Sequence, residues 1–393
     1  MDGINEWRRR FVTDILMLFL ILRGRINFLQ MGRYGQYDES TYRSGFERDF
    51  DFLSFNRHLI ESQSSSERIL GFDPSYIRKS GKKTPGLGYY YNGVAGRYEK
   101  GLEIGSIAVI DLQQNTAYHL EAIQTPSANK TQLLQGQTLI DHYAKTIVER
   151  ADKLKQVSST LVVDGYFTKR KFVDAIKTET PLDLVSRLRD DANLNYLFHG
   201  NKERRRGRPR KYDGKINVKN IDRRRIPKVY EDASLRIYSA VVYSIGLKRN
   251  IKLAYTEFLN STGELITSKL FFSTDLDMRG YEIVRCYRAR FQMEFLFRDA
   301  KQFTGLQNCQ ARSASKIYFH INASLTAASL AKNIQRIDLD KCQRINYSAT
   351  DIKTELFNYS LLNRIFSIYD ISPNIKLNNN MMQSILNFGK IAA

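Results

Sequence analysis

The chain has 393 residues, with 61 Lys and Arg against 41 Asp and Glu, for a net charge of +20. At 42% hydrophobic and 12% aromatic it carries ample material for a buried core, which excludes a wholly disordered chain. The basic excess points to a polyanionic partner, and Cys286, Cys309 and Cys342 are too scattered for a disulfide framework or a CxxC zinc site.

The longest apolar run, 11–22, is broken by Thr13 and Asp14. It falls short of the roughly 20 residues that span a bilayer, so no membrane association is expected. Arg23, Gly24 and Arg25 follow it, where a secretory signal would place small residues.

Residues 4–31 predict one helix ending near Gly32, and 39–61 a second. Arg8, Arg9, Arg10, Arg23, Arg25 and Arg33 decorate this part, so 1–61 reads as a helical N-terminal region suited to DNA binding, or as a helical cap on the next domain. After the polar linker 62–66 come a strand over 68–73 that ends at Asp73, a basic turn-rich loop (79–86) and a Tyr/Gly-rich stretch (87–98). Strands are predicted over 102–111 and 116–124, a helix over 137–156, a buried strand ending at Asp164, a helix over 169–177 and a strand over 182–188. Acids on the first strand and at the end of the fourth give the order of a ribonuclease H-like domain, with 67–198 as its first part. Residues 199–275 form a basic loop and a β-rich insertion, with strands over 234–243, 251–259 and 265–273. A long helix over 278–303 opens the closing helices of the domain (276–335), and 336–393 is a helical C-terminal region. The fold class expected is therefore α/β: a ribonuclease H-like mixed sheet flanked by helices, with a β-rich insertion before the last long helix and helical ends.

On that long helix Tyr287, Arg290, Glu294 and Lys301 fall inside one arc of about 60°. Phe291, Met293, Phe295, Leu296 and Phe297 cover much of the remaining circumference, which predicts a buried helix. A buried Glu294 then needs a partner: a bound cation, or ion pairs with Arg290 or Lys301.

The spacing Tyr287-x2-Arg290-x3-Glu294-x6-Lys301 resembles the Y-(2)-R-(3)-E-(6)-K signature of the insertion-sequence-four family of DDE transposases. It stands where that family carries it, on a helix after a β-rich insertion, and the resemblance spans about 67–335. The resemblance implies a transposase of a bacterial insertion sequence, acting in the cytoplasm at the nucleoid. Such an enzyme binds terminal inverted repeats and target DNA, and works as a homodimer when two ends are synapsed. It implies cut-and-paste chemistry with two Mg²⁺ ions, for which Mn²⁺ can substitute, held by Asp73, Asp164 and Glu294. Asp111, at the end of the second strand, is the rival for the first acid. The alternative readings are a non-catalytic transposase-derived DNA-binding protein and a nuclease of the same fold. By the same resemblance Tyr287, Arg290 and Lys301 hold phosphates or a base beside the metals. Without it, Asp73 could form an Asx turn before Pro74, and Asp164 could cap the turn at Gly165.

Two basic segments complete the picture. Arg206-Gly207-Arg208-Pro209-Arg210 resembles an AT-hook core. Whether as a minor-groove reader or as a phosphate-contacting loop, Arg204, Arg205, Arg206, Arg208 and Arg210 are expected to bind DNA. Lys79, Lys82 and Lys83 beside the first acid are candidates for contact with the cleaved strand, or are solvated surface lysines. The five histidines fall in no ligand spacing, and no Walker or GxGxxG motif indicates a nucleotide cofactor.

Overall fold

The computed structural model describes residues 4–127, 136–198, 200, 210–337, 339–370 and 379–391. In chain order it contains helices α1 (Glu6–Ile21), α2 (Phe28–Tyr34), α3 (Glu39–Gly45) and α4 (Phe52–Glu61), then strands β1 (Arg68–Arg78), β2 (Gly88–Asn92), β3 (Arg97–Asp111) and β4 (Thr116–Gln124). Helices α5 (Leu139–Val148) and α6 (Ala151–Lys155), β5 (Thr160–Val163), α7 (Arg170–Glu179), β6 (Asp183–Arg187) and β7 (Leu194–Leu197) follow. Next come β8 (Tyr212–Lys215), β9 (Lys228–Glu231), β10 (Leu235–Ser244), β11 (Arg249–Leu259) and β12 (Leu265–Ser273). The chain ends with α8 (Gly280–Ala289), α9 (Gln292–Gln302), α10 (Ala314–Ile334), α11 (Ala349–Ile368) and α12 (Asn379–Leu386). It divides into two compact units, one of 1–67, 74–132 and 292–393, the other of 68–73 and 133–291.

In the second unit the start of β1 pairs in parallel with β5, and β5 in parallel with β6. The sheet continues with antiparallel partners through β12, β11, β10, β7 and β8, and β9 lies on β10. Leu161, Val162 and Val163 are fully buried; β-branched and aliphatic side chains suit a strand covered on both faces, each worth about 1.5–3 kcal/mol when removed from water. Helices α7 and α8 pack on this sheet, and α5 on α7. The fold class read from the sequence is the one observed: a mixed sheet with flanking helices, in the manner of ribonuclease H.

The first unit holds the β2–β3–β4 meander and its helices. Helix α10 packs along β4 and α1, and α11 rests on α1. The expected single helix over 4–31 is two: Leu22 is extended and Gly24 adopts φ +87, a left-handed conformation suited to glycine, before Asn27 caps α2. The expected helix over 39–61 is likewise divided, with Phe46 and Phe50 buried between α3 and α4. Helix 137–156 splits into α5 and α6. Arg8 is not a surface cation; it is buried and donates to the carbonyls of Gly45 (2.8 Å) and Arg48 (2.7 Å). Among the described residues, no helix is long and apolar enough to cross a membrane.

Candidate active site

The parallel ladder of β1 and β5 sets the site. Its pairs are Leu70 with Leu161, Gly71 with Val162 and Phe72 with Val163. Asp73, within β1, and Asp164, just after β5, are therefore abreast on the carboxyl side of the last paired residues, the side on which parallel sheets carry their chemistry. Beyond Asp164 the chain turns at once. Its carboxylate accepts from Tyr166 N (3.3 Å) at the head of the 3₁₀ turn Gly165–Phe167, and Ser186 donates to the Val163 carbonyl at 3.0 Å. Pro74 follows Asp73 and offers no N–H to a ladder; the division between the two units falls between these residues.

Two residues near the end of α8 face the acids. Arg290 Nη1 donates to Asp73 at 3.3 Å, and its Nη2 lies 3.8 Å from Asp164. The Tyr287 hydroxyl donates to Asp164 at 3.2 Å while its ring packs on Phe271, centroids 4.8 Å apart. Burial, and then the Asp164 charge, raise the Tyr287 phenol above its ordinary range, so it stays protonated and acts as donor. The Arg290 side chain is 14% exposed, Asp73 17% and Asp164 44%, so the pair is shielded on the Asp73 side and open on the Asp164 side. Arg290 also lies 5.8 Å from the Tyr287 ring centroid. One Asp164 oxygen thus caps the turn through Tyr166 N, and the other accepts from the Tyr287 hydroxyl.

The expected continuous helix over 278–303 is interrupted. Arg290 N and Phe291 N bond back three residues, to Tyr287 and Arg288, and α9 starts afresh at Gln292. The cause lies in the burial pattern. Gly280, Ile283, Val284 and Cys286 are the buried residues of α8, and Met293, Leu296, Phe297, Asp299 and Ala300 those of α9. On one uninterrupted wheel these faces would point roughly 140° apart; a break lets each half bury its own face. The common arc of Tyr287, Arg290, Glu294 and Lys301 does not carry through it. Nor is Glu294 buried: it is exposed, in the first turn of α9, where the helix dipole favours a carboxylate.

Glu294 and Lys301 belong to the first unit, Asp73, Asp164, Tyr287 and Arg290 to the second. Lys301 is half-buried, and burial lowers its pKa. The buried acid of α9 is Asp299, 4% exposed and bonded by Arg298 at 3.1 Å. In the same unit the buried Lys332 amine donates to the Ala117 carbonyl at 2.9 Å, and burial pushes its pKa down to about 8. A helical wheel over 278–303 does not single out Asp299. A wheel drawn for 292–302 alone would have grouped Asp299 with Leu296 and Ala300.

Asp111, the rival first acid, has a structural task. It is fully buried and accepts from Ser65 N (2.6 Å), Ser65 Oγ (2.8 Å), Gln113 N (3.0 Å) and Gln114 N (2.8 Å), which fixes the turn between β3 and β4. Lys79 is half-buried and donates to the carbonyls of Cys309 and, at 3.1 Å, Ala311, whereas Lys82 and Lys83 are exposed. Arg204, Arg205, Arg206 and Arg208 lie outside the described residues. Arg210 is exposed, donates to the Tyr212 carbonyl at 3.1 Å and pairs with Asp213.

Among the described residues, no three His, Cys, Asp or Glu side chains are gathered into a metal-sized group. In the second unit, two carboxylates gather around a guanidinium instead. Their donor set is all oxygen, which fits a hard divalent cation such as Mg²⁺ and not a thiophilic one.

A family model described as the transposase DDE domain matches residues 73–330. No curated protein matches the sequence.

Proposed function

The chain belongs to the transposase DDE-domain family, which acts on DNA, and on that premise we propose that it is the cut-and-paste transposase of a bacterial insertion sequence, of the insertion-sequence-four type. The observation that supports this reading most is the placement of Asp73 and Asp164 side by side where the parallel pairing of β1 with β5 stops, with Arg290 and Tyr287 donating to them.

On this reading Asp73 and Asp164 hold the divalent ions, and Glu294 is assigned as the third ligand from its place in the Tyr287–Lys301 spacing. Two Mg²⁺ ions, with Mn²⁺ as substitute, supply an activated attacking oxygen and charge relief at the leaving oxygen of the phosphodiester. The protein's own groups do the rest. Arg290 neutralises the acidic pair and orients Asp73. Tyr287 fixes one oxygen of Asp164 and keeps its proton at neutral pH. Lys301 supplies positive charge to a DNA phosphate, and Arg204, Arg205, Arg206, Arg208 and Arg210 add sequence-independent attraction along the duplex. The helical region 1–61 is assigned to recognition of the element's ends, 67–198 and 276–335 to the catalytic domain, 199–275 to its basic insertion and 336–393 to the C-terminal region. The working form is a homodimer holding two ends, in the bacterial cytoplasm.

Incubating the protein with Mg²⁺ and a supercoiled plasmid carrying the element's inverted repeats tests the reading. Excision followed by joining to a target plasmid supports it. Nicking without joining would replace it with a nuclease, and binding without cleavage with a DNA-binding derivative.

A further inference from the structure

The first unit contains a cavity of about 1390 Å³ formed by the loop 78–84, the segment 307–316 and the N-terminal helices. Its walls carry eight Lys and Arg side chains, Lys79 and Lys316 among them, and among the described residues no carboxylate lines it. Lys79 ties the two loops together through the carbonyls of Cys309 and Ala311. Two wall cations already have carboxylate partners outside the lining: Arg43 bonds Glu39 at 2.9 Å, and Lys316 lies 2.7 Å from Glu47. Arg25, Arg78, Lys82, Lys83 and Arg312 are exposed and carry the excess positive charge of the groove. Concentrating like charges on one concave wall costs free energy unless an anion is present, so the wall is arranged for one.

Size and lining select the anion. The volume exceeds the roughly 300–1,000 Å³ typical of small-molecule pockets. Among the described residues the one aromatic on the wall, Phe28, is buried, so none of them offers an aromatic face for base stacking. What remains is a string of guanidinium and ammonium groups suited to successive phosphodiesters. We propose that this groove holds the sugar–phosphate backbone of duplex DNA, independently of its sequence, through Lys82, Lys83 and Arg312 above all. The proposal rests on the DNA-acting reading given above and assigns it a surface in the first unit that involves neither Asp73 nor Asp164.

The test is the salt dependence of binding to a random-sequence duplex, followed by fluorescence anisotropy between about 50 and 200 mM salt. A triple variant, Lys82→Gln, Lys83→Gln and Arg312→Gln, is compared with the wild-type chain and with a control of equal charge change, Lys145→Gln, Lys155→Gln and Lys171→Gln, all exposed positions in the second unit. Removing three phosphate contacts should reduce the log–log slope by about 2 to 3, and leave it unchanged in the control. Circular dichroism melting checks that both variants fold. An unchanged slope in the groove variant, with wild-type binding intact, overturns the groove and leaves the transposase reading standing. Failure of the wild-type chain to bind the duplex overturns both. Inorganic triphosphate at matched phosphate concentration should fail to displace the duplex; full displacement would overturn the choice of a polymer.

Discussion

Arg290 donates to Asp73 at 3.3 Å, although 217 residues separate them in the chain. One guanidinium thereby compensates a carboxylate that is only 17% exposed. Arg290→Gln removes that compensation and leaves Asp73 and Asp164 facing each other without it. The expected cost is about 1–3 kcal/mol, from carboxylates deprived of their charged donor. The melting temperature should fall, and added Mg²⁺ should raise it more in the variant than in the wild-type protein. Equal melting temperatures with and without the substitution would show that the contact carries no stability.

Glu294 stands in the first turn of α9, exposed. Because it is not buried in the core, Glu294→Ala should change stability by no more than about 0.5 kcal/mol. On the proposed role the same substitution should abolish DNA cleavage while leaving duplex binding intact. Wild-type cutting by Glu294→Ala would remove it from the catalytic set, and a large drop in melting temperature would reveal a structural role instead.

How far the sequence carries the fold depends on which physical signal each element leaves. The two strand acids are legible because each follows a run of buried β-formers, Ile69–Phe72 on β1 and Leu161–Val163 on β5. Their parallel pairing follows from the helical crossover pattern. The β10–β11–β12 meander is equally plain, from alternating apolar residues and the turn at Asn260–Gly263. The break at Arg290–Phe291 was not legible. A continuous heptad-like apolar run hides the rotation of the buried face, which only tertiary partners reveal. The roles of Lys79 and Asp111 were hidden for a related reason: nothing local distinguishes a lysine that donates to backbone carbonyls from a solvated one, or a carboxylate that fixes a turn from one that binds a cation.

Two buried histidines tie stability to pH. His119 Nε2 donates to Asn322 Oδ1 at 3.0 Å, and His320 Nε2 donates to the Gly305 carbonyl at 2.9 Å. Burial pushes their pKa values down, to about 3 and about 4, from 6.5. The unfolded chain therefore binds more protons than the folded one between those limits, so their stabilising contribution is full above about pH 6.5 and is lost as pH falls through about 4 and 3. Urea midpoints should drop between about pH 7.5 and pH 5, and less steeply in His119→Gln. Identical pH dependence in that variant and in His320→Gln would show that other groups set the acid limb.

On the proposed role, the carboxylate of Asp164, abreast of Asp73, does the metal-dependent work on DNA. Asp164→Asn keeps the shape of the side chain and an oxygen for the Tyr166 N–H while removing the charge. Mg²⁺-dependent cleavage of a plasmid carrying the inverted repeats, measured beside gel-shift binding of the same ends, tests this most directly. Cleavage should vanish in Asp164→Asn with binding within about twofold of the wild-type value, a difference of about 0.4 kcal/mol. Cleavage at the wild-type rate by Asp164→Asn would contradict it.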